Sequence, residues 1–449
     1  MNFRDNKLSR RDFVKASSIT AGGLLLGSLP VGRSAFAAGN DRLKIALIGC
    51  GDRGTGAAAN ALDAGEDIQL VAMADIYEER LSGCYNILSQ RYRNSDKLNV
   101  PEEHKFVGFD AYKKAMELAD VVLLTTPTFW RPQHFEEAVR MGKHIFMEKP
   151  VAVDARGVRR VLQSARTAKE KQLNVVVGLQ RRYQNKYREL HKRIQDGQIG
   201  DITSGTIYWM EGEFPDLTHN PEWPELRVQI VNQFQFLWAS GGQVLDQLIH
   251  NIDVANWFIG EHPVSAQGMG GRFESLTGKN KGQFYDHGFI EYTYPNEVVV
   301  AAQARRQANA YNRVAEEFMG TRGSMQSHGF GSDGVLKNHQ GSILYSHDSS
   351  GDPSPYVQEH VELFNAIRSG NVIDNTVRAA HTTMTAILGY MATYSGQNLT
   401  WEEALNSDVT FYPQHSLTPE NVGYDTEAPV KRDENGLYPV PVPGVTQVV

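Results

Sequence analysis

Apolar runs and helical stripes alternate along the first part of the chain. An apolar run at 43–48 is followed by an alanine-rich helical segment at 55–64, and a second run at 68–74 ends on Asp75. The rhythm continues as apolar 120–125, helical 132–141, apolar 144–147, helical 156–170 and apolar 174–178. Short, continuously apolar runs separated by helices are the pattern of strands covered on both faces, so a doubly wound parallel sheet is predicted. The period then changes. A helix at 186–196 and a strand at 202–210 lead into alternating segments at 264–272, 289–294, 298–304 and 314–320, with Gly and Asn at the turns. Alternation of period two predicts an open, largely antiparallel sheet. Helices at 356–368 and 376–394 follow, and no internal repeat is present. The pattern divides the chain into an α/β domain at 38–175, an α+β domain at 176–412 and an extended tail rich in Pro and Gly at 413–449.

The first strand–helix junction carries candidate chemistry. It reads Gly49-Cys50-Gly51-Asp52-Arg53-Gly54, a G-x-G-x-x-G turn between strand and helix. Gly49 permits the tight turn, Gly51 admits a pyrophosphate to the backbone, and Gly54 lets the helix pack on the strand. The helix N-terminus then faces the phosphates, so a Rossmann dinucleotide domain is expected. Asp52 and Arg53 fall inside the same loop. Asp75 ends the second strand at the spacing where a carboxylate takes ribose hydroxyls and repels a 2′-phosphate, which favours NAD over NADP. Later strands deliver Thr126-Pro127 and Glu148-Lys149-Pro150 at their carboxyl ends, the edge where such sheets bind ligands. Trp130 and Arg131, at the start of the next helix, are candidates to cover the nicotinamide or meet the pyrophosphate.

Charge and cysteine usage narrow the field. The formal charge is −7; six basic and two acidic residues stand in the first 37, leaving −11 for the rest. That balance disfavours nucleic-acid and anionic-membrane partners. Two cysteines, Cys50 and Cys84, do not make a disulfide scaffold. The first 37 residues resemble a twin-arginine signal peptide: Arg10-Arg11, a mildly apolar stretch at 16–31, and Ala35-Phe36-Ala37 as the cleavage site. The resemblance implies recognition by the twin-arginine machinery, export of a folded protein with its cofactor loaded, a periplasmic location and no membrane anchor.

The second decisive segment is Ser240-Gly241-Gly242-Gln243-Val244-Leu245-Asp246-Gln247-Leu248-Ile249-His250-Asn251-Ile252-Asp253. On a helix, Asp246 and His250 are four apart and share a face. A carboxylate beside an imidazole orients the ring and raises its pKa, which suits proton exchange near neutrality. Taken together, G-x-G-x-x-G, Thr-Pro, Gly142-Lys143-His144, Glu-Lys-Pro and Gly-Gly-x-x-Leu-Asp-x-x-x-His resemble the Gfo/Idh/MocA oxidoreductases over about 43–407. The resemblance implies a hydride transfer between NAD and a hydroxyl carbon of a sugar, glycoside or polyol. Lys149 would bond the reacting oxygen, His250 would act as general base or acid, and Asp246 would orient it. The chain departs from the family at Thr128 and Arg131, where many members have Asn and His, so no role is carried over to His134. A homo-oligomer and a tightly held, internally recycled cofactor are also implied. Two alternatives stay open: an NAD-dependent glycosidase acting by transient oxidation and elimination, from which the retained Glu-Lys-Pro sets this chain apart, and an inactive sugar-binding protein. His287, Glu359-His360, Arg305 and Arg306 carry only weak signals, and no metal-ligand spacing occurs.

Overall fold

The structure is a computed structural model that describes residues 42–273, 281–329, 333–410 and 421–447. The leader with Arg10, Arg11 and the Ala35–Ala37 site lies outside these residues, as does the start of the tail.

Six parallel strands form the first sheet: β1 (Leu43–Ile48), β2 (Ile68–Asp75), β3 (Lys105–Val107), β4 (Val121–Leu124), β5 (His144–Met147) and β6 (Val175–Val177). Their order is β3-β2-β1-β4-β5-β6. The order reverses between β1 and β4, which opens a crevice at the carboxyl ends of those two strands. The first helix, α1 (Asp52–Asp63), begins three residues earlier than the alanine run suggests, because Gly51 is its extended N-cap and the loop residues 52–54 enter the helix. Three elements have no counterpart in the apolar pattern: α2 (Glu78–Arg91), β3 and α3 (Ala111–Glu117). α2 buries only Leu81, Cys84 and Leu88 along its length, too thin a stripe to register. α4 (Arg131–Arg140) and α5 (Ala155–Glu170) complete the layers, and β6 carries this sheet two residues past the expected division at 175.

After α6 (Asn185–Gln195), β7 (Ile202–Glu211) opens a nine-stranded sheet. β8 (Ser265–Gly271), β9 (His287–Thr293), β10 (Val299–Arg306) and β11 (Arg313–Gly320) match the alternating segments. β7 pairs parallel with β10, and the other pairings are antiparallel. Three more strands, β12 (Gly323–His328), β13 (Gly334–Asn338) and β14 (Ile343–Ser346), extend one edge, and β15 (Leu399–Thr400) closes the other. The expected open, largely antiparallel sheet is therefore present, longer than its apolar alternation shows.

Between β7 and β8 lie α7 (Glu225–Val231), a short helix Leu237–Ser240, a π-helical turn Val244–Leu248 and α8 (Ile249–Ile259). The C-terminal half supplies α9 (Pro355–Ser369), α10 (Thr376–Ser395) and α11 (Trp401–Asn406). Seventeen of the twenty residues of α10 are buried, so this helix is core on every side. It packs on α5 of the first domain and on β8 and α8 of the second. Thr383 Oγ1 accepts from the Val151 N–H at 3.2 Å, and the Tyr390 hydroxyl donates to the Val153 carbonyl at 2.8 Å, so α10 fixes the segment just after Glu148-Lys149-Pro150. The tail at 421–447 lies on this chain's own surface: the Tyr285 hydroxyl donates to Pro441 O at 2.8 Å and Gln229 Nε2 to Val430 O at 2.6 Å. Among the described residues no helix is long and apolar enough to cross a membrane.

Candidate active site

A cleft of about 340 Å³ lies over the glycine turn, lined by Gly49, Gly51, Asp52, Arg53, Gly54, Asp75, Thr126, Pro127 and Trp130. Gly49 has φ +96°, and a Cβ there would meet Thr126 N at 2.8 Å; a Cβ on Gly54 would meet Gly49 O at 2.0 Å. Gly51 is the opposite case, with nothing within 4 Å of where its Cβ would point. Two glycines are needed for packing, and the third faces open space at a helix N-terminus that has no side-chain cap. That is the shape and polarity a pyrophosphate requires, so these residues fit a dinucleotide. Asp75 sits at the far end of the cleft, accepting from Cys50 N–H at 2.6 Å and Tyr77 N–H at 2.9 Å. Burial pushes its carboxyl above the ordinary value, and these two donors with Arg80 oppose the shift. Tyr77, Phe109 and Trp130 wall this end, and the Tyr424 hydroxyl from the tail donates to Ile76 O beside Asp75. Apart from Trp130, none of these aromatics carries a sequence signal.

A second chamber of about 430 Å³ adjoins the cleft and shares Arg53, Thr125, Thr126, Gln233 and Phe234 with it. Lys149, Asp246 and His250 all line this chamber, with Glu148 and Arg131. Lys149 is thus brought together with two candidates about a hundred positions further along the sequence. Lys149 comes from the carboxyl end of β5, whereas the π turn and α8 supply the other two.

The arrangement within the chamber differs from the expected one. Lys149 Nζ donates to the Asp246 carbonyl at 2.6 Å and stands 3.5 Å from its Oδ1. Asp246 is therefore the partner of Lys149, presented to it by the π turn; it does not hold the imidazole. His250 Nδ1 is buried without a hydrogen-bond partner. Its ring lies against Trp209, 5.7 Å between centroids and tilted by 28°. Burial, followed by the charges of Lys149, Arg181 and Arg53, holds the imidazole pKa well below the ordinary histidine value. The expected rise is corrected to a fall, because three cations surround the ring and the carboxylate that would oppose them is paired elsewhere. A neutral imidazole at neutral pH is still competent as a base.

Arg53, Glu148 and Arg131 have more definite partners than the sequence supplies. Arg53 leaves the glycine turn to contact Glu148 Oε1 at 2.5 Å, with Glu359 at 3.8 Å and the Tyr356 ring 5.4 Å below its guanidinium. Glu359 is fully buried, and burial together with Glu148 raises its carboxyl pKa well above the usual range. Arg131 is not a surface residue at a helix start. It is buried, with its guanidinium donating to the carbonyls of Thr126 and Pro150, so it ties the ends of two strand loops together; burial pulls its pKa down to about 10. Both of its terminal nitrogens are bonded to backbone carbonyls, which points to positioning as its role. His134 is buried beneath Thr126, with Thr126 Oγ1 3.0 Å from its Nδ1, outside the second chamber. Trp209 is missed altogether at the sequence level, since on a strand it reads as ordinary core. The indole Nε1 donates to Glu211 Oε2 at 2.8 Å, and Arg306 Nη1 reaches the same oxygen at 2.5 Å.

Comparison with known proteins agrees with this geometry. Residues 43–179 match the oxidoreductase family with an NAD-binding Rossmann fold, and residues 187–326 match the GFO/IDH/MocA C-terminal domain. Inositol 2-dehydrogenase of Rhizobium meliloti is 26% identical over 277 residues, covering 61% of this chain and 72% of the relative. The Azotobacter vinelandii enzyme of the same name is 34% identical over 169 residues, 36% of this chain and 43% of its own length. The chain thus spans less than half of that second relative. Among solved structures, scyllo-inositol dehydrogenase from Lactobacillus casei with NAD(H) and scyllo-inositol superposes with a TM-score of 0.61 at 21% identity, over 81% of this chain and 100% of the other. Aldose-aldose oxidoreductase from Caulobacter crescentus gives 0.62 at 18%, over 80% and 99%. At those identities the likeness is one of fold. With both halves matched and the paired sheets in place, the chain belongs to the Gfo/Idh/MocA oxidoreductases and carries their NAD-binding Rossmann domain.

Proposed function

We propose that this protein is a sugar or polyol dehydrogenase that removes hydride from a secondary carbinol. The observation that carries the reading is the convergence of Lys149, Asp246 and His250 in one chamber that opens through Arg53 and Thr126 onto the glycine-turn cleft. NAD, when bound, supplies the hydride acceptor. The chain's own residues do the rest. Lys149, held by Asp246, directs its ammonium at the substrate oxygen and stabilises negative charge as the O–H bond breaks. His250, kept neutral by its surroundings, takes the hydroxyl proton; in the reverse direction it returns it. Asp246 holds Lys149 in position and offers its second oxygen to a neighbouring hydroxyl. The inositol 2-dehydrogenase relatives support a polyol as the substrate class.

α7 and the segment following it close over the cleft through Ile230, Val231, Gln233 and Phe234, which supports a retained cofactor recycled by a second substrate. Export through the twin-arginine pathway fits such a protein, since it loads its dinucleotide before leaving the cytoplasm. Self-association through the open sheet completes the reading. The test is to add myo-inositol, glucose or glucosides to the purified holoprotein, follow the reduced-nicotinamide band, and analyse the products by mass. A keto product, two hydrogens lighter, is expected. A cleaved glycoside would instead indicate elimination chemistry, and unchanged sugar with no reduction would contradict the proposal.

A further inference from the structure

The ends of β7 and β10 and the start of β11 leave a second concavity of about 520 Å³, open to solvent and outside the chamber just described. It neighbours the chamber through Glu211, which lines the basin and bonds to residues that adjoin Asp246 and His250. Gln247, the residue after Asp246, brings its amide nitrogen within 3.5 Å of Glu211 Oε2, the oxygen that also receives Arg306 and the Trp209 indole. Gln247 Oε1 is itself buried without a hydrogen-bond partner.

The chemistry of the basin is specific. Glu211 and Glu213 oppose Arg306 and Arg313, so its formal charge is balanced and it favours neither an anion nor a cation. Both guanidinium groups lie over aromatic rings, Arg306 at 4.1 Å from Phe214 and Arg313 at 3.9 Å from Tyr208, which fixes the direction of their donors. Asn312 and His328 add exposed polar side chains at the rim. Directed donors and acceptors of no net charge suit a neutral polyhydroxylated group.

We propose that this basin is the subsite for a second sugar unit, glycosidically linked to the ring oxidised between Lys149 and His250. The substrate would then be a disaccharide or larger saccharide. This rests on the sugar-dehydrogenase reading for the first ring, but its test is independent of turnover.

Holoprotein affinity is measured by calorimetry for matched pairs, glucose with cellobiose and galactose with lactose, while reduction of the bound nicotinamide is followed separately. In at least one pair the disaccharide should bind about tenfold or more tightly than the monosaccharide, the worth of one or two added hydrogen bonds. A double Asn312→Ala, His328→Ala variant, which touches only exposed side chains, should lower disaccharide affinity toward the monosaccharide level and leave the monosaccharide unchanged. Arg313→Gln should do the same. If the disaccharide binds no more tightly in either pair, or the variants weaken both sugars alike, the subsite is refuted. If the affinity difference is present but no sugar reduces the nicotinamide, the subsite stands and the dehydrogenase reading fails.

Discussion

The two halves of the active site are built in opposite ways. The phosphate and ribose contacts of the dinucleotide cleft come from a short stretch of sequence: the turn at 49–54 follows β1 directly, and Asp75 ends the neighbouring strand. The catalytic chamber takes Lys149 from one domain and Asp246 and His250 from the other, with Trp209 behind the imidazole, and α10 packs on both domains. A local motif tolerates no change of spacing but needs little support from elsewhere, whereas a convergent site depends on how two sheets are held together. Damage to the first should therefore appear as lost cofactor or lost fold, and damage to the second as lost rate with the cofactor in place.

The largest effect is expected at His250. His250→Ala should lower turnover by about 10² to 10⁴ with NAD retained, the usual worth of a positioned proton-transfer group. Because burial and three cations depress its pKa, the neutral base persists as pH falls through the ordinary histidine range. The acid limb of kcat/KM should then lie below about 6.5; a limb above that value would contradict the electrostatics described. Lys149→Met should cost about 10² to 10³ in turnover through loss of a placed charge, read alongside the nicotinamide content of the purified variant.

The glycines sharpen the other side of the comparison. Gly54→Ala forces a Cβ against Gly49 O and should destabilise the fold by about 1–3 kcal/mol, seen in thermal melts of the cofactor-free protein. A Cβ on Gly51 meets no protein atom within 4 Å, so Gly51→Ala should leave that melt unchanged and weaken NAD binding instead. Equal effects in both assays would remove the distinction between packing and ligand glycines.

The smallest effect is expected at Trp209, a positioning residue. Trp209→Leu should admit water to the imidazole, lower kcat several-fold and move the acid limb upward toward the ordinary histidine pKa, with Trp209→Phe restoring most of both. A change in KM alone, with the limb unmoved, would mean that the ring only fills space.

The same contrast governs what the sequence disclosed. Strands β1, β2, β4, β5 and β6 are continuous apolar runs and were legible as such; the glycine turn and Asp75 followed from spacing. Lys149, Asp246 and His250 were legible through motif resemblance, and all three reach one chamber. Their mutual contacts were not, because an i, i+4 argument presumes an α-helix and knows nothing of the π turn or of Lys149 arriving from another domain. Trp209 and Glu359 look like a core strand residue and a helix residue until the tertiary structure places a cation or an imidazole beside them. β12 to β14 escaped because Ser, Gln, His, Lys and Asn interrupt their apolar positions; β14 is the edge strand of the three, where such polarity is tolerated.

The central claim is that Lys149 and His250 act as one unit on substrate while other residues hold the dinucleotide. It is tested most directly by single-turnover reduction of bound NAD in Lys149→Met, His250→Ala and the double variant, each with its nicotinamide content measured. Cofactor content near wild type in all three, with a double variant scarcely slower than the slower single, is the expected result, since groups acting as a unit are strongly non-additive. Cofactor lost from the single variants, or rate losses that simply multiply in the double, would contradict it.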